Sequence, residues 1–112
     1  VLSIHQNSYP EEAIHGAQVF YYEDSSEGKK LAEILQKHLV EVLDKENHRQ
    51  AKGNRTYYML KKTEATLVIV ECGFLSNNQE ALLLTDEKYQ NKVAKAICSG
   101  TLEYLSSLVE KK

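Results

Sequence analysis

No stretch of this 112-residue sequence is apolar for long enough to cross a bilayer, which takes about 20 residues. Tryptophan is absent, and tyrosine supplies most of the aromatic content. Cys72 and Cys98 form no C-x-x-C pair, so a zinc ribbon is excluded. Both are expected to be small core residues, not a disulfide or a nucleophile, and they fix no redox compartment. A formal charge of −2 and a pI near 6.1 leave no basic field, which argues against nucleic acid as a partner. There is no internal repeat, no low-complexity segment and no H-E-x-x-H signature. Gly73 is followed by Phe74, so there is no G-x-S-x-G nucleophile elbow. The sequence opens directly on Val1-Leu2-Ser3-Ile4. That opening reads as a strand already under way, and the expectation is that residues 1–112 are the C-terminal portion of one larger catalytic domain.

What is present centres on Leu67–Asn77. Leu67, Val68, Ile69 and Val70 run without polar alternation, as a strand covered on both faces does. The run ends in Glu71, a carboxylate placed where desolvation is costly unless something pairs with it. Ligands of open α/β sheets bind at the carboxyl ends of strands. Gly73 permits a turn, and Ser76 with Gln79 has the spacing of a capping box.

Val1–Ile4 is a second strand candidate, and His5 follows it as Glu71 follows Val70. If the two strands are parallel, both residues lie on one edge of the sheet. Pro10 ends regular structure after Tyr9. His15–Tyr22 reads as a further strand, with a possible capping box after it at Asp24 and Glu27. Residues 29–46 carry Leu31, Ile34, Leu35, Leu39, Val42 and Leu43 at helical spacing. His38 falls within that stripe as a packing histidine. Asn47–Asn54 is expected to be a loop, and its charge a solvated surface, with contact to an anionic substrate as the alternative. Thr56–Leu60 is strand-like, and a short helix is expected over Asn78–Leu84. A last helix starts near Thr85-Asp86-Glu87 and puts Tyr89, Val93, Ile97, Gly100, Tyr104 and Leu108 on one face. Gly100 should permit close approach to the sheet, and Lys111 and Lys112 should favour the helix end.

A His and a Glu on one sheet edge suit two metal ligands, one ligand plus a general base, or an acid–base pair without metal. The pattern leaves these open.

Two segments carry a resemblance. Ser3-Ile4-His5-Gln6-Asn7 is similar to the S-I-H-x-N motif of the zinc-dependent N-acetylmuramoyl-L-alanine amidases (Amidase_3). Val70-Glu71-Cys72-Gly73-Phe74-Leu75-Ser76-Asn77 resembles that family's V-E-x-G-F-x-S-N motif, with Glu80 next in the pattern. The resemblance extends from Ser3 to about Tyr104. Thr56–Lys61 and the helix over 29–46 look most like the germination-specific amidases of spore-forming bacteria. It implies a three-layer α/β/α sandwich with a mostly parallel sheet, here without its N-terminal part. It implies hydrolysis of the amide between N-acetylmuramic acid and L-alanine of the stem peptide, with peptidoglycan as partner and action outside the cytoplasm, on the wall or spore cortex. His5 matches a zinc ligand and Glu71 the catalytic glutamate. The family's other His and Glu ligands lie upstream of the residues matched here. Glu64-Ala65-Thr66 departs from the Met-Pro common before the family's central strand. The alternative is a non-catalytic cell-wall binding module of the same fold.

Overall fold

The computed structural model describes residues 2–7, 16–55, 66–74 and 85–110. Strands β1 (Leu2–Asn7), β2 (Gln18–Tyr22), β3 (Lys52–Asn54) and β4 (Val68–Phe74) form a sheet of order β1-β4-β2-β3. Helix α1 (Ser26–Leu43) connects β2 to β3, and α2 (Glu87–Glu110) ends the described chain. The expectations for Thr56–Leu60, Asn78–Leu84, the Ser76 cap and Lys111–Lys112 lie outside the described residues.

β4 is central, as its uninterrupted apolar run requires. Val68, Val70 and Cys72 face one core with Val19 of β2, Leu31, Leu35 and Leu39 of α1, and Val93, Ala96, Ile97 and Tyr104 of α2. Ile69 alternates to the opposite face, where it is buried with Leu67 and Phe20. Both described helices therefore pack on one side of a strand that is buried on both. Burying a Leu or Ile side chain in such a core stabilises by about 1.5–3 kcal/mol.

The α/β class holds, and the sheet is mixed. β1–β4 and β2–β3 are parallel, whereas β2 runs antiparallel to β4. The polar stretch expected to be a loop contains β3, whose Lys52, Gly53 and Asn54 pair with Phe20, Tyr21 and Tyr22. A three-residue edge strand without apolar side chains gives no period to read.

The cap of α1 is Ser25, not Asp24. The Ser25 hydroxyl accepts from the Gly28 amide at 2.9 Å, and Asp24 instead takes Arg55 Nη2 at 2.8 Å. Asp86 caps α2 through its side chain, which accepts from the Lys88 amide at 2.8 Å. Glu27, in the first turn of α1, accepts from the Tyr104 hydroxyl at 2.7 Å and ties the two helices together.

Gly100 serves a helix contact, not a sheet contact. A Cβ there would lie 2.7 Å from Leu35 Cδ2 and 3.4 Å from His38 Cδ2. His38 is half-buried between the helices, with Nε2 3.1 Å from Glu103 Oε1, in agreement with a packing role. Cys72 is buried as expected, but Cys98 is exposed. It lies one residue beyond Ile97 on α2, which turns it away from the α1-facing stripe. No described helix is long and apolar enough to cross a membrane.

Candidate active site

β1 and β4 run in the same direction, and their register is Leu2–Val68, Ser3–Ile69, Ile4–Val70 and His5–Glu71. His5 and Glu71 thus occupy one rung, within the strands and not at their ends: β1 continues to Asn7, and β4 runs through Gly73, where a turn is expected, to Phe74. Immediately beyond it the register slips, so that Asn7 pairs with Phe74. Two residues of β4 stand against one of β1 across that step. Such a bulge bends a strand and re-aims its later side chains, and bulges are frequent beside active sites.

The rung continues into β2. Because β2 is antiparallel to β4, its first residue, Gln18, pairs with Glu71. The row across the sheet is His5, Glu71, Gln18. Glu71 is 3% exposed and Gln18 is 8% exposed. Alternation along β4 puts Glu71 on the face of Ile69, opposite the one covered by α1 and α2. Its neighbour Cys72 has its thiol pushed up to about 11, mainly by burial and further by the charge of Glu71. A thiol so held is protonated at neutral pH and is no nucleophile.

Sequence reading missed Gln18. A lone polar residue at the head of a strand carries no signal until the pairing shows what stands opposite it. On the side away from β4, side chains and not β3 hold this end of β2. Gln36 of α1 accepts from the Val19 amide through Oε1 at 2.8 Å and donates through Nε2 to the Ala17 carbonyl at 3.0 Å. Asn47 Nδ2 donates to the same carbonyl at 3.0 Å, and Gln18 Nε2 donates to the Gln50 carbonyl at 2.8 Å. Gly16 adopts a φ of +97°, and a Cβ on it would lie 2.9 Å from Asn47 Oδ1.

The basic loop has a structural task here. Arg49 Nη1 donates to the Gly16 carbonyl at 3.4 Å. With Lys37 and His48, Arg49 lines an open cleft of about 800 Å³ that also includes Tyr21 and Gln36. Tyr21 packs against the α1-side core, so this cleft opens away from the face of Glu71. His38 is remote in function, committed to Glu103, and His15 lies outside the described residues.

Among the described residues, no group of three or more His, Cys, Asp or Glu side chains is placed to hold a metal ion. A catalytic zinc needs three protein ligands and an open position. The described residues alone do not complete such a centre, and His5 is the one position in them that the motif resemblance assigns to the metal.

Glu71 is thus a buried carboxylate on one rung with His5 and Gln18 in a mixed sheet of an α/β domain. The sequence profile of the N-acetylmuramoyl-L-alanine amidases matches residues 1–103, and the chain belongs to that family. It is 39% identical over 105 residues to the germination-specific N-acetylmuramoyl-L-alanine amidase of Bacillus subtilis, covering 94% of this chain and 44% of that one. It is 32% identical over 108 residues to the amidase LytC of the same organism, covering 92% of this chain and 21% of that one. Among solved structures it superposes with a TM-score of 0.92 and 44% identity on the CwlD amidase of Clostridioides difficile, determined in complex with the GerS lipoprotein. That match covers 95% of this chain and 54% of the other. The chain thus spans about half, or less, of the length of these relatives.

Proposed function

We propose that this chain is the C-terminal portion of the catalytic domain of a zinc-dependent peptidoglycan amidase, one that cleaves the bond between N-acetylmuramic acid and L-alanine of the stem peptide. The observation that carries the reading is the register pair His5–Glu71, one step before the register slip, with Glu71 3% exposed. The family match and the likeness to germination-specific amidases support it.

In this reading His5 is a metal ligand, since neutral imidazole is a good donor to zinc. The remaining ligands come from the half of the relatives' length that this chain does not span. Zinc, when bound, lowers the pKa of water to near 7 and polarises the scissile carbonyl. Glu71 is the general base and acid: its carboxylate takes the proton of the attacking water and passes it to the departing alanine nitrogen. Burial suits that role, because a site shielded from solvent strengthens the field of a carboxylate aimed at developing charge. Gln18 flanks Glu71 with a neutral amide, which adds no second negative charge to the rung.

The substrate places the protein outside the cytoplasm, on the wall or spore cortex. The test is to incubate the full-length protein containing this sequence with purified cortex peptidoglycan and analyse the soluble products by mass spectrometry. Stem peptides with a free L-alanine amino terminus, and glycan retaining intact lactyl groups, are expected. Binding to the sacculus without peptide release would favour a non-catalytic wall-binding module.

A further inference from the structure

Gln18, Gln36 and Glu71 are the buried polar or charged side chains among the described residues. They are not scattered. Gln36 grips the backbone on both sides of Gln18, through Ala17 and Val19, and Gln18 is the register partner of Glu71.

The directions of these bonds matter. Along a strand, the N–H and C=O groups of alternate residues point to opposite sides. Gln36 takes the Ala17 carbonyl and the Val19 amide, which leaves the N–H and C=O of Gln18 facing β4 and Glu71. On this outer side β3 pairs only from Phe20 onward, so it does not reach the Gln18 rung. Gln36 stands in for the missing stretch of strand with one donor and one acceptor at the spacing a ladder would supply. The Gln18 side chain is moored separately to the Gln50 carbonyl. Satisfying two strand groups accounts for a polar residue at position 36. It does not account for the clasp falling on the one rung of β2 that pairs with Glu71.

We propose that Gln36 is a positioning residue for Glu71: by clasping β2 on either side of Gln18, it fixes the wall against which the Glu71 carboxylate is held. The role rests on the reading of Glu71 as the catalytic carboxylate. Gln36 touches no reacting atom and acts through Gln18. Displacing a reacting group by about 1 Å can cost on the order of 10²-fold in rate, so a strand end left to Asn47, the Gln50 carbonyl and β4 would pass its loosening to Glu71 as lost rate.

The test uses the full-length protein and the Gln36→Met variant, which keeps the side-chain length and removes both bonds. Leu39→Ala is the control, since Leu39 lies on the same helix, is buried in the same core, and has no polar group with which to clasp β2. Hydrogen exchange of the Val19 amide is the readout independent of activity, and it should accelerate in Gln36→Met and not in Leu39→Ala. With each variant assayed equally far below its melting midpoint, Gln36→Met should lose on the order of 10–100-fold in kcat with KM little changed. Leu39→Ala should keep kcat near that of the parent. Placed in a Glu71→Gln background, Gln36→Met should cost nothing further, because groups acting as a unit are non-additive. If Gln36→Met does not fold, Gln36→Asn, which keeps the amide but shortens its reach by one methylene, carries the same test. Accelerated Val19 exchange with kcat equal to that of the parent would overturn the proposal, as would equal losses in Gln36→Met and Leu39→Ala. Full activity in Glu71→Gln alone would instead overturn the catalytic reading beneath it.

Discussion

His5 and Glu71 are partners on one rung of two neighbouring parallel strands, one step before a register slip in the same pair. A metal shared between a ligand and a base needs those side chains on the order of 4–8 Å apart. A crystal structure of the zinc-loaded full-length protein should show that separation on one face of the sheet. Side chains on opposite faces would contradict the shared site. Metal analysis of His5→Ala should show zinc lost.

Gly100 and Leu35 set the spacing of the two helices. Gly100→Ala gains about 1 kcal/mol of helix propensity. It also forces a Cβ to 2.7 Å from Leu35 Cδ2, and overpacking of this kind costs about 1–3 kcal/mol. The expected outcome is a net loss of up to about 2 kcal/mol, with Gly100→Val losing more. Thermal denaturation checks it, and a raised midpoint in Gly100→Ala would show that the helices are not in close contact there.

The two cysteines should behave differently toward thiol reagents. Exposed Cys98 should react in the folded protein, and buried Cys72 only on unfolding. Cys72 also links stability to pH. Its pKa is 9.0 when unperturbed and is pushed up to about 11 in the fold, so the folded state holds the thiol proton more tightly. That contribution is present in full below pH 9.0 and is lost as pH rises toward about 11. Its size is at most about 2–3 kcal/mol. Denaturant titrations across this range should show a stability decline that is shallower in Cys72→Ala.

Residues Val1–Lys112 on their own should not release stem peptide at a measurable rate. His38 is engaged with Glu103, and the exposed loop residue His48 is a poor substitute ligand. An incomplete centre fails both to orient and to polarise, and those losses multiply. Bound zinc and peptide release, measured beside the full-length protein, decide the matter. Activity within about tenfold, near 1.4 kcal/mol in barrier, would mean that no further ligands are needed.

Much of the fold is legible in the sequence because the strongest signals are local. The unbroken Leu67–Val70 run marks a strand buried on both faces, and 3.6-residue spacing marks α1 and the inner face of α2. The placement of His5 opposite Glu71 comes from two similar strands assumed parallel, and the β1–β4 register agrees. The features that escape are non-local. The antiparallel direction of β2 relative to β4 depends on how distant segments pair, which no single strand encodes. β3 is too short and polar to show a period. Gln18 and Gln36 look ordinary in sequence, and they acquire meaning only when the Ala17 and Val19 backbone groups are found on Gln36. The sequence marks Gly100 as a close-contact glycine, but its partner is Leu35 across the helix pair.

Glu71→Gln in the full-length protein, with zinc content and stem-peptide release measured on the same preparation, tests the role of the carboxylate most directly. Replacing the carboxylate by an amide of the same shape removes the base and leaves the rung filled. Turnover should fall by roughly 10²–10⁴-fold, the usual cost of losing a general base, while zinc stays near the parent level. Loss of the metal together with activity would make Glu71 a ligand, and turnover close to that of the parent would remove it from the chemistry altogether.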